Sequence, residues 1–132
     1  MIDRYQTKEM KAIWSDQNKF QTWLKVEIAV VEVLSKNGLV PEESLNIIKE
    51  KADFDKDRVL EIEKTTRHDV IAFLTNVAEY VGPDSRFIHM GMTSSDLLDT
   101  SLALLCQESG NIILKELKSF HQLLRKKAYQ YK

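Results

Sequence analysis

The sequence contains very few of the residues that cross-link a small fold or interrupt its regular elements. Among its 132 residues there are one cysteine, four glycines and two prolines. Cys106 has no second cysteine with which to form a disulfide within the chain, which fits a reducing compartment. The scarcity of glycine and proline leaves little of the chain for loops and turns.

Charge and hydropathy give no support for two large classes of partner. The net charge of −1 favours neither nucleic acid nor an anionic membrane. The longest apolar runs, such as Leu102 to Cys106, are far shorter than the roughly 20 residues that cross a bilayer. Residues 1–11 lack the apolar core of a signal peptide. We therefore expect a cytoplasmic protein that binds neither nucleic acid nor a membrane.

The apolar residues recur at helical spacing and no segment alternates as a β-strand would, which predicts an all-α fold. Thr7 is expected to cap a short first helix, and Asp16 a long second helix that ends at Gly38. The third helix is expected over Pro41 to Ala52, and the fourth begins near Asp55 or Asp57. The fifth helix runs from about Asp69 to Val81, and a last, long helix begins at Thr93–Asp96. The second helix is apolar on more than one face, so we expect it to be central. A loop is expected over residues 84–92.

The second half of the last predicted helix carries one apolar stripe, which suits the interface of a helical bundle. The stripe consists of Ile113, Leu117, Phe120, Leu124, Ala128 and Tyr131. Because the stripe is still running at Lys132 and no helix-ending residue follows, we expect a truncated helix. The alternative is a natural terminus that frays. The expected domains are an N-terminal helical domain over residues 1–92 and the first stretch of a bundle domain over residues 93–132.

Two common kinds of site are missing from the sequence. The four glycines are isolated, so there is no glycine-rich phosphate loop. The three histidines, His68, His89 and His121, and the single cysteine do not have the spacing of metal ligands. The chemistry is therefore expected in three short polar segments.

The first two polar segments are Arg4-Tyr5 and residues 65–69. Arg4 offers a planar fork suited to phosphate and Tyr5 a hydroxyl. The residues alone favour the structural alternative, a surface arginine and a packing tyrosine, because such pairs are common. In the second segment His68 could donate to a ligand or shuttle a proton near neutral pH. Its structural alternative is that Asp69 only caps the fifth helix and Arg67 is solvated.

The third polar segment, residues 89–96, begins at His89 and leads into the long helix. Thr93 and Asp96 match the reciprocal capping pattern, which is a sufficient structural explanation. Three consecutive hydroxyl residues nevertheless exceed what one cap needs. The start of a long helix presents free N–H groups to a carboxylate or phosphate, and Gly91 allows a ligand to approach the backbone closely.

Together these segments resemble the adenylosuccinate lyases of the fumarase/aspartase superfamily. The resemblance rests on Arg4-Tyr5, on residues 65–70 (TTRHDV) and on residues 89–100 (HMGMTSSDLLDT), and it extends over essentially the whole sequence. The combination of TTRHD with TSSDLLDT is specific, whereas a Thr-Ser pair alone would be weak.

The resemblance implies a carbon–nitrogen lyase of purine nucleotide biosynthesis. Such an enzyme cleaves adenylosuccinate to AMP and fumarate, and the succinyl-carboxamide ribotide to the carboxamide ribotide and fumarate, by β-elimination. It needs no metal or organic cofactor, and it is a homotetramer whose active sites are built from several subunits around a bundle of long helices. Its serine base and histidine acid lie beyond the residues present here, so the chain alone is expected to be inactive.

The resemblance also implies the site residues. The expected substrate-binding residues are Arg4, Tyr5, Arg67, His68, Asp69, Thr93 and Ser94, with His89 near the site. The first pair would bind the nucleotide phosphate. The second segment would contact the substrate, with His68 as a possible accessory in proton transfer. The Thr-Ser pair would hold the succinyl carboxylates.

Two other functions are weighed against this one. A related lyase such as the 3-carboxymuconate cycloisomerase has a similar Thr-Ser-Asp-like helix start. A non-catalytic helical module would instead use the apolar stripe to bind a partner helix.

Overall fold

A computed structural model describes residues 2–132, and these residues form α-helices and short 3₁₀ helices without a β-strand. The α-helices are α1 (Lys8–Ile13), α2 (Asp16–Lys36), α3 (Glu42–Lys51), α4 (Lys56–Thr66), α5 (Asp69–Val81) and α6 (Ser94–Gln130). The 3₁₀ helices span Asp3–Tyr5 and Gly82–Phe87. The predicted all-α class is confirmed.

Polar side chains fix where the first helices begin. Thr7 caps α1 as predicted, accepting from the N–H of Met10 at 3.2 Å. The predicted cap of α2 was wrong by one residue, because Ser15 accepts from the N–H of Asn18 at 3.2 Å and Asp16 already lies in the first turn. Asp55 is the cap of α4, accepting from two N–H groups of the first turn.

The loop predicted over residues 84–92 is partly helical. Gly82 ends α5 with a φ of +77°, a conformation that glycine adopts without steric cost. Pro83 follows in the first turn of the 3₁₀ helix Gly82–Phe87, where its fixed φ is compatible with a helical backbone. The irregular part of this connection is therefore limited to residues 88–93.

Helix α2 lies at the centre of the core, as its apolar surface predicted. Phe20 and Trp23 of α2 meet Phe73 of α5 with ring centroids 5.7 and 5.4 Å apart, and all three side chains are buried. Phe54 completes this aromatic cluster at 5.9 Å from Phe20. Edge-to-face and stacked rings at these distances add to the free energy gained from burial alone.

Helices α4 and α5 form a pair that is locked by buried and surface polar groups. Asn76 is buried; its side-chain oxygen accepts from the N–H of Asp55 at 2.8 Å, and its amide donates to Glu79 at 2.9 Å. Hydrogen bonds from Arg58, and then from Asn76, hold the pKa of Glu79 below its usual value. These contacts join the start of α4 to the second half of α5.

Helix α6 changes character along its length. Its first turns pack on α2 and bury Leu97, Ser101 and Leu105. Beyond Ser109, the apolar residues of the predicted stripe are exposed, from 51% for Leu124 to 72% for Tyr131. The helix therefore leaves the core and offers an uncovered apolar face. The domain boundary after residue 92 stays a prediction.

Candidate functional site

His89 is anchored by a buried carboxylate that lies 62 residues away in the sequence. Glu27 of α2 is only 1% exposed, and its two oxygens accept from the backbone N–H of His89 at 2.9 Å and pair with its Nδ1 at 2.6 Å. Burial raises the pKa of the Glu27 carboxyl, and the hydrogen bonds and charge of His89 partly oppose that rise. The imidazole side chain remains 18% exposed, so one part of the ring can still meet a ligand.

Backbone strain is stored at two of the predicted site residues. Among the residues that the structure describes, Arg67 and His89 are the non-glycine positions with positive φ, at 53° and 64°. A residue with a Cβ pays a steric cost in this region, and such residues concentrate at functional sites. Arg67 ends α4 and lines a cleft with Leu60, Glu63 and Lys64.

The role predicted for Asp69 as the cap of α5 was wrong, because His68 is the cap. Nδ1 of His68 accepts from the N–H of Ile71 at 3.3 Å, and its backbone is extended (φ −149°, ψ 114°). Asp69 lies inside the first turn and accepts from the N–H of Val70 at 2.8 Å.

Asp69 lies beside the first turns of α6. It lines a cavity of about 320 Å³ between the α1–α2 junction, α5 and α6. Ser101 of α6 and Lys19 of α2 line the same cavity. The Ser101 hydroxyl is buried without a hydrogen-bond partner among the described residues. This cavity joins a predicted site residue to the helix that starts at Ser94.

The start of α6 has the predicted capping arrangement. The N–H of Thr93 donates to the Asp96 carboxylate at 2.8 Å, as a capping box requires. Thr93 is exposed and Ser94 half-buried, so neither hydroxyl is enclosed in the core. Free N–H groups and aligned peptide dipoles make this end of the 37-residue helix attractive to anions.

The structure does not bring Arg4 and Tyr5 to the start of α6. The Arg4 guanidinium lies over the Tyr5 ring at 4.9 Å, and Tyr5 lines a cavity with Ile113 and Phe120 of α6. Ser94 and Ile113 are 19 positions apart, which is roughly 28 Å along a helix that rises 1.5 Å per residue. The Arg4-Tyr5 pair and the Thr93-Ser94 pair therefore form two separate groups within one chain.

Among residues 2–132, no group of three or more His, Cys, Asp and Glu side chains is placed to hold a metal ion. None of the helices that the structure describes combines the length and apolar character of a membrane span.

Comparison with known proteins gives the family. Residues 3–132 match the protein family described as "Lyase". The chain belongs to this lyase family. The lyase chain is similar to adenylosuccinate lyases of Synechocystis sp. (54% identical), Helicobacter pylori (47%) and Bacillus subtilis (45%), each matched over 132 residues and all of the chain. The predicted resemblance is confirmed.

The lyase chain spans only 30–31% of the length of these curated relatives. Its fold is similar to that of a fumarate lyase from Mesorhizobium sp. BNC1, with a TM-score of 0.77 and 18% sequence identity. That similarity covers 83% of this chain and 27% of the other. At this identity it supports the fold alone.

Glu27 contacts the candidate site residue His89, and the sequence analysis missed it. A signal was present, since Glu27 lies between Val26 and Ile28 on a helix that is apolar on several sides. A carboxylate in such a place must either reach solvent or find buried donors. Its partner, however, could not be identified from a pattern, because His89 lies in a different element.

We expect Arg67→Gly to stabilise the chain by roughly 1 kcal/mol. Glycine removes the cost of about 1–2 kcal/mol that a side chain carries in the left-handed region, although its freedom in the unfolded chain offsets part of this gain. Urea unfolding monitored by circular dichroism measures the change. Arg67→Ala is the control, because it removes the guanidinium but keeps the Cβ; equal stability of the two variants would contradict stored strain.

Proposed function

We propose that this chain forms part of an adenylosuccinate lyase. The complete enzyme would cleave adenylosuccinate to AMP and fumarate, and the succinyl-carboxamide ribotide to the carboxamide ribotide and fumarate, by β-elimination. The observation that carries the proposal is the 54% identity to an adenylosuccinate lyase over all 132 residues. The free, exposed Cys106 supports a cytoplasmic location, where thiols stay reduced.

The proposed roles follow the chemistry of each group. Thr93 and Ser94 bind the succinyl carboxylates, supported by the free N–H groups at the start of α6. Arg67 contributes its guanidinium charge to the binding of the substrate, from a cleft that it lines with Leu60, Glu63 and Lys64. His68 and Asp69 contact the substrate from the adjoining helix start, with their side chains 46% and 44% exposed.

Arg4 and Tyr5 are proposed to bind the nucleotide phosphate of a substrate held by another copy of the chain. Tyr5 is 73% exposed beside the middle of α6, roughly 28 Å along the helix from Ser94. One copy therefore cannot easily direct both groups at one nucleotide. Assembly into a homotetramer around the exposed stripe of α6 would supply the missing group from a neighbour.

The activity is tested with the full-length lyase that carries this chain. We expect it to release fumarate from adenylosuccinate and to leave 3-carboxymuconate unchanged. The 132-residue chain alone is expected to show no turnover, since the resemblance places its base and acid beyond these residues. Conversion of carboxymuconate only, or full turnover by the chain alone, would contradict the proposal.

The role of His68 is tested by two substitutions in the full-length lyase. His68→Asn keeps a side-chain oxygen that can cap α5, because asparagine is a preferred N-cap residue. We expect its melting temperature to be near that of the wild type and its kcat/KM to fall by about 10²-fold, which is typical for a lost proton-handling group. His68→Ala loses both the cap and the imidazole, so stability should fall as well, by about 1 kcal/mol or less.

His121→Ala is the matched control, because His121 lies exposed on α6 and outside every site group. Its kcat/KM should stay near the wild-type value. If His68→Asn also retained wild-type kcat/KM, His68 would be only a cap.

The exposed stripe predicts that the isolated chain self-associates. An uncovered apolar face of several hundred Å² is unusual on a monomer. Sedimentation velocity should detect association of the wild-type chain, and Phe120→Glu should weaken it by placing a charge on the stripe. Gln122→Glu adds the same charge on the opposite face of α6 and should have little effect. A wild-type chain that stays monomeric at high concentration would contradict the prediction.

A further inference from the structure

Packing alone does not explain the contact between Glu27 and His89. An apolar side chain would fill the same space in the core without the cost of burying a carboxylate. That cost is offset here by two hydrogen bonds, and both come from His89. The pair therefore fixes the backbone and the ring of one residue, and that residue is partly exposed beside the start of α6.

When Glu27 is ionised, the two contacts define the hydrogen positions on the His89 ring. An ionised carboxylate can only accept hydrogen bonds, and the Oε1–Nδ1 distance of 2.6 Å indicates a strong one. Nδ1 must then carry the hydrogen. In the neutral ring Nε2 is left with its lone pair, and in the protonated ring Nε2–H is a charged donor.

We propose that Glu27 is a positioning residue for the lyase reaction, which holds His89 in its left-handed backbone conformation and in its Nδ1–H tautomer, so that Nε2 meets the substrate. The inference rests on the proposed function. Carboxylates orient the imidazoles of metal-binding histidines in the same way, and their loss there typically reduces metal affinity or activity about 10- to 100-fold.

Glu27→Gln gives an unusually strict test, because the two oxygens of Glu27 serve different groups. The backbone N–H of His89 can only donate, so the amide oxygen of glutamine must occupy the position of Oε2. The amide NH₂ then faces Nδ1, and it can only donate. The ring must accept at Nδ1 and move its hydrogen to Nε2, which reverses the tautomer while nearly conserving the shape of the side chain.

The tautomer is measured by ¹⁵N NMR of the chain labelled in its three histidines, at a pH where the rings are neutral. His68→Asn and His121→Ala assign the remaining signals. We expect an Nδ1–H ring for His89 in the wild type and an Nε2–H ring in Glu27→Gln. Glu32→Gln is the matched control, because it removes another carboxylate of α2. The Glu32 carboxylate pairs with Lys49 and not with His89, so this substitution should leave the His89 signals unchanged.

An Nε2–H ring for wild-type His89 would overturn the inference. This measurement needs no substitution, so it decides the question even if Glu27→Gln does not fold. Unchanged His89 signals in a folded Glu27→Gln chain would also overturn it.

Kinetics of the full-length lyase provide the second test. We expect Glu27→Gln to lower kcat/KM for adenylosuccinate by about 10-fold or more, with Glu32→Gln near the wild type. If Glu27→Gln reverses the tautomer of His89 but keeps the wild-type kcat/KM, the proposed role of Glu27 in the reaction is wrong. If the wild-type lyase does not cleave adenylosuccinate, the proposed function fails, and the tautomer then decides alone whether Glu27 positions His89.

Discussion

The arrangement of the chain depends on the burial of α2. Its apolar residues lie on several sides, so neighbours must cover it in more than one direction. Phe73 of α5 covers Phe20 and Trp23, and the first turns of α6 pack along the same helix. This burial also removes Glu27 from water, and the need to satisfy that carboxylate draws His89 and its connection onto α2. The core thereby fixes a candidate site residue that lies far away in the sequence.

The features that could be predicted from the sequence are those that depend on short-range patterns of residues. The spacing of Val70, Phe73 and Val77 is local, and the predicted bounds of α5 agree with the structure. The identity of its cap was wrong because two adjacent polar residues, His68 and Asp69, could both serve, and the choice depends on the left-handed turn at Arg67. The Glu27–His89 pair joins two elements across 62 residues, and no periodicity reports such a contact.

At the predicted site a structural role is compatible with a binding role, although the two were weighed as alternatives. Thr93 is part of a capping box, and it is exposed at a helix start suited to anions. His68 caps α5 through Nδ1, and its Nε2 takes no part in the cap. A cap holds its residue in one conformation, so a group that meets a ligand there is already positioned before binding. Structural explanations of these residues therefore do not count against functional ones.

The two histidines are fixed in opposite ways, and this difference follows from their partners. At His68 the backbone N–H of Ile71 can only donate, so Nδ1 accepts and a neutral ring carries its hydrogen on Nε2. At His89 the partner of Nδ1 is the carboxylate of Glu27, so an ionised Glu27 places the hydrogen on Nδ1. One neutral ring thus offers a donor at Nε2 and the other an acceptor. The elimination proposed for the complete enzyme needs groups that give and groups that take protons or hydrogen bonds, and with Glu27 ionised this chain presents one imidazole of each kind.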